Sequence, residues 1–185
     1  GETLTSPGVE YIEWPDSYPI DCNAFMSDNT GKNVKYLWDP NQYINVMIYN
    51  FASDPETNSV TLGISHLPFT TTGNNSLEGL NETKYSYLEL KNLNFPYCCS
   101  INSLYIDQQS TSTTYNTTDV TVTVAHELGH YLGVHHVFSE DENGTYDGCT
   151  DSDYCKDTPT YNKVYYDQWV DIQLSLGVRD LPTLA

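Results

Sequence analysis

Residues Thr118 to Phe138 read TDVTVTVAHELGHYLGVHHVF, and they hold His126, His130, His135 and His136, four of the five histidines of the chain. On a helix turning about 100° per residue, His126 and His130 lie about 40° apart on one face, one turn above the other. Two imidazoles so placed reach one tetrahedral metal ion. Glu127 lies too far round the helix to be a third ligand in the same plane. It can lean over a water at that ion, where a general base has to sit. Gly133 explains the third ligand. Glycine accepts a left-handed backbone and ends a helix at low cost, and a turn there swings His136 back under the metal. His135 is the rival third ligand, but the spacing selects His136. The run therefore spells HExxHxxGxxH, far more specific than a bare HExxH.

This run resembles the extended zinc signature of the metzincin metalloproteases at every fixed position. The downstream stretch with Gly148, Cys149, Asp157, Thr158 and Pro159 is similar to the pappalysin-type branch, in particular to zinc-dependent metalloprotease lipoproteins of gut bacteria. The resemblance implies an α+β fold of the metzincin type. A mixed twisted sheet would lie over the active-site helix, followed by a small irregular C-terminal lobe. It implies one catalytic domain over 1–185, with an N-terminal lobe over 1–133 and a C-terminal lobe over 134–185. It also implies a zinc endopeptidase cutting protein or peptide substrates, with His126, His130 and His136 on Zn²⁺ and Glu127 as general base. Two rival readings are a catalytically impaired, metal-bound module that captures peptides, and a wholly structural surface protein.

The resemblance further implies a substrate-binding edge strand, for which Gly63, Ile64, Ser65 and His66 at the head of Gly63–Phe69 are the candidates. Main-chain pairing there would be largely indifferent to side chains. His66 otherwise reads as a structural or surface histidine. The acidic loop after the motif reads as a solvated segment, or, as some members of the family would have it, as a Ca²⁺ site drawn from Asp147, Asp151, Asp153, Asp157 and Thr158. Its spacing does not fit an EF-hand. The chain departs from metzincins in one respect. They place a methionine beneath the metal downstream of the third histidine, whereas Met26 and Met47 both lie upstream. Either the C-terminal lobe is incomplete or the floor of the site is built differently.

At 185 residues the chain suffices for one core. With 25 Asp and Glu against 7 Lys and Arg, and a net charge of −18, it offers no basic surface to track phosphates, so nucleic acid is excluded as a partner. No apolar run is long enough to span a bilayer, and the resemblance to lipoproteins allows for a lipid anchor in the precursor. Five cysteines are present. Cys149 and Cys155 enclose a polar loop and read as a disulfide, which implies a secreted, periplasmic or cell-surface setting. Cys98 and Cys99 are adjacent, so one of them is expected to pair with Cys22 or with something outside the chain. The N-x-S/T sites at Asn74, Asn81, Asn116 and Asn143 read as unmodified if the source is bacterial.

Strands are expected over Tyr43–Phe51, Val60–Phe69, within YSYLELKNL and over Ser100–Gln108, with a shorter one at Val9–Trp14. Thr118 or Asp119 should cap the metal-binding helix. With Val120, Val124, Leu128 and Tyr131 on one side and Val122 and Leu132 on the other, that helix is expected to be buried nearly all round. The tail pattern Trp169, Val170, Ile172, Leu174 and Leu176 fits a helix or a strand.

Overall fold

The longest helix of the N-terminal part, α2 (Val120–Tyr131), is built from Val and Thr, which are weak helix formers. Its start is fixed by Asp119, whose side chain accepts from the backbone N–H of Thr121, and its end by Leu132 and by Gly133 at φ +101°. The rest of its stability comes from packing on a small sheet. These relations are drawn from a computed structural model, which describes residues 8–53, 60–73, 76–85, 88–137, 153–158 and 162–178.

In chain order the other elements are α1 (Cys22–Met26), β1 (Val46–Tyr49), β2 (Gly63–Ser65), β3 (Phe69–Thr71), β4 (Asn81–Thr83), β5 (Cys99–Asn102) and α3 (Lys163–Ser175). Strand β5 is buried along its whole length and lies at the centre of a mixed sheet ordered β1-β5-β2. It runs parallel to β1, with Val46 opposite Cys99, and antiparallel to β2, with Gly63 opposite Ile101 and Ser65 opposite Cys99. A central position satisfies the backbone groups of a fully buried strand on both sides. A second, two-stranded parallel sheet joins β3 to β4.

Alternation along the strands divides the main sheet into two faces. Met47, Tyr49, Ile64 and Ser100 face the aromatic core, in which Tyr49 packs on Phe25 at 5.3 Å and on Phe51 at 4.8 Å between ring centroids. The Ser100 hydroxyl reaches Met26 Sδ at 3.2 Å on this side. Gly63, Ser65, Cys99 and Ile101 face α2. The β2 residues on that face are a glycine and a serine, so the helix comes close.

The mixed sheet with its helices is the expected α+β arrangement; the element boundaries differ. The Tyr43–Phe51 strand shortens to β1 because Asn45 is tied to Trp38, accepting from its N–H at 2.8 Å and donating to its carbonyl at 2.9 Å. Val60–Phe69 divides into β2 and β3 around Pro68, which has no N–H to give a ladder. The Ser100–Gln108 strand stops at Asn102, whose side chain accepts from Leu104 N–H and turns the chain into a single 3-10 turn. Leu90–Asn92 is a 3-10 turn rather than a strand, β4 lies upstream of it, and Val9–Trp14 forms no strand.

The helix α2 is not buried all round. Thr123, Glu127 and Tyr131 form its buried face, while Val122 is 51% and Leu132 70% exposed. Three strands of three or four residues are too narrow to cover more than one side of a helix. Cys22, Cys98 and Cys99 are buried as free thiols, so the expected pairing of Cys22 is not formed.

Candidate metal centre

Helix α2 carries His126 and His130 one turn apart. Gly133 then adopts the left-handed conformation that the spacing called for, and His136 returns. The Nε2 atom of His130 lies 3.0 Å from that of His126 and 3.0 Å from that of His136, and the latter two are 3.2 Å apart. A tetrahedral ion about 2.0–2.1 Å from each of three nitrogens would set them about 3.3 Å apart, so the triangle fits one zinc ion. The protonation pattern fits as well. His130 Nδ1 lies 2.7 Å from the carbonyl of Val134, which only accepts, so Nδ1 carries the proton and Nε2 presents its lone pair to the centre of the triangle. Among the described residues, these three form the one group of His, Cys, Asp or Glu side chains able to share a metal ion.

Glu127 is 6% exposed, packed between α2 and β2. Burial pushes its carboxyl up to about 7, because the charged form loses hydration there. His135, the rival ligand, turns elsewhere, its ring 5.0 Å from that of Tyr154. His66 also faces inward, its Nε2 3.1 Å from the Met26 carbonyl and its Nδ1 3.4 Å from the Cys98 carbonyl. Burial pushes its pKa down. Ile64 and Ser65 lie with Gly63 on β2, an edge strand of the main sheet that packs directly against α2.

Of the acidic-loop candidates, Asp147 and Asp151 lie outside the described residues. Asp157 is exposed, Thr158 is half-buried, and Asp153 accepts from the backbone N–H of Cys155 at 2.9 Å. Cys155 is an exposed free thiol, and its expected partner Cys149 lies outside the described residues. Two features escaped the sequence reading. One is the carbonyl of Val134, which fixes the His130 tautomer; nothing in a sequence announces a backbone acceptor. The other is the fit of Glu127 against Gly63, for which a lone glycine inside a strand pattern was the available signal.

The pattern of the pregnancy-associated plasma protein-A family matches residues 28–175. Extracellular metalloproteases of Arthroderma benhamiae and Trichophyton verrucosum are each 51% identical over 41 residues, which is 22% of this chain and 13% of each relative. Both are fungal, whereas the sequence resemblance pointed to bacterial lipoproteins. No solved structure matches the chain. No helix among the described residues is long and apolar enough to cross a membrane.

Proposed function

This chain belongs to the pregnancy-associated plasma protein-A family of metallopeptidases, a branch of the metzincins, and from that premise we propose that it is a secreted zinc endopeptidase acting on proteins or peptides. The observation that carries the reading is the triangle of Nε2 atoms 3.0–3.2 Å on a side, with the His130 tautomer set from outside it. His126, His130 and His136 would hold the ion. When bound, zinc supplies a Lewis acid that polarises a peptide carbonyl and makes a water acidic near neutral pH.

The remaining work falls to this chain's side chains. Glu127 accepts the water proton on a carboxylate oxygen as the water oxygen attacks the carbonyl carbon. It then delivers that proton to the amide nitrogen as the C–N bond breaks. Strand β2 offers its outer backbone edge to an extended peptide, holding it by main-chain hydrogen bonds beside the metal.

Cleavage of an unstructured protein, followed by mass spectrometry with and without a chelator, tests the reading. Glu127→Gln should lower kcat by about 10²–10⁴-fold while zinc content stays at one per chain. Full activity in that variant would remove Glu127 from the role. Zinc binding without cleavage in the wild type would leave a peptide-capturing module.

A further inference from the structure

A Cβ placed on Gly63 would lie 2.5 Å from Cγ of Glu127, 2.7 Å from its Oε1 and 2.8 Å from its Cδ. Real Cβ atoms do not approach other heavy atoms that closely. The backbone at Gly63 is ordinary strand, so no left-handed conformation calls for glycine there. The hydrogen atom in place of a side chain serves the neighbour instead. Glu127 projects from the sheet-facing side of α2, in the register that directs Gly63 and Ser65 toward the helix. Ser65 still finds room, its Oγ 3.1 Å from Cys99 Sγ. At Gly63 that room is taken by the carboxylate arm.

We propose that Gly63 is a positioning residue for Glu127: its missing side chain is the seat that holds the carboxylate arm between β2 and α2. The inference rests on the proteolytic reading and adds to it, since it assigns a part in catalysis to a residue that touches neither metal nor reacting atoms. A methyl group at position 63 has two ways to be accommodated. Either the carboxylate swings away, or α2 lifts from the sheet. The first moves the base while leaving the three histidines in place, and a misplacement of about 1 Å is enough to cost about 100-fold in rate. The second costs stability.

The experiment compares Gly63→Ala, Glu127→Ala and the double variant, as purified with zinc, by kinetics, zinc content and thermal unfolding. Gly63→Ala should bind one zinc per chain, keep KM within about threefold and lose about 100-fold in kcat. If α2 yields, Gly63→Ala lowers Tm by about 3–8 °C, and this loss disappears in the Glu127→Ala background because the colliding arm is gone. A kcat within about threefold of wild type overturns the inference. So does an equal loss of Tm in both backgrounds, which would trace the effect to β2 itself. Should Gly63→Ala fail to fold, the double variant decides: folding as well as Glu127→Ala supports the seat, and failure overturns it. Wild type without chelator-sensitive cleavage overturns the parent reading, whereas active wild type with an unaffected Gly63→Ala overturns this inference alone.

Discussion

Gly133 does two things at one position. Its φ of +101° is a conformation that L side chains rarely adopt, and a Cβ there would meet Pro68 Cγ at 3.3 Å. The turn it makes brings Val134 O within 2.7 Å of His130 Nδ1 and returns His136 to the other two imidazoles. Gly133→Ala should therefore lower Tm by about 2–8 °C, from a backbone cost of about 1–2 kcal/mol. It should also weaken zinc binding at least about tenfold, because both the third ligand and the acceptor that orients the second depend on that turn. Competition with a chromophoric chelator would measure this. An unchanged zinc affinity would mean that His136 reaches the metal without help from the turn.

Helix α2 owes its start to Asp119 in a way that depends on pH. Its carboxylate accepts from the N–H of Ser110 at 2.6 Å and of Thr121 at 2.8 Å. These bonds, with that to Ser110 first, hold its pKa at about 2, below the roughly 3.9 of an unfolded chain. A depressed acid favours the folded state wherever it is ionised. The contribution is whole above about pH 4 and is lost as the pH falls through about 2. Asp119→Asn keeps a capping oxygen but has nothing to titrate. Its Tm should fall less steeply than that of wild type between pH 4 and pH 2, and parallel curves would contradict this account of the cap. The same helix shows why pattern alone misjudged burial. Its valines and leucines fall on every side, but the sheet beneath is three strands wide, so Val122 and Leu132 remain in water.

For the molecule as a whole, the metal is expected to act as a structural ligand as well as a catalytic one, since the unfolded chain has no preformed triangle. Zinc at about 100 times its Kd should stabilise the fold by about 2.7 kcal/mol, a rise in Tm of about 5–10 °C that chelation reverses. His136→Ala should lose most of that rise in a thermal scan; a full rise there would place the ion elsewhere. Sequence alone determined the centre of the protein: the helical spacing of His126 and His130, the glycine that must follow, the third histidine and the carboxylate beside the first are local facts of the chain. It also determined that a mixed sheet accompanies the helix, through the resemblance its motif carries. Tertiary structure decided where the strands begin and end: Asn45 is tied to Trp38, and Asn102, which turns the chain at Leu104, is itself held from across the fold, donating to the Thr61 carbonyl and accepting from Phe51 N–H. It decided which side of α2 is buried, and that His66 points into the core. It alone brought Gly63 against Glu127, 64 residues apart in numbering, since long-range packing follows from shape and strand register, and neither is written in any short window of sequence.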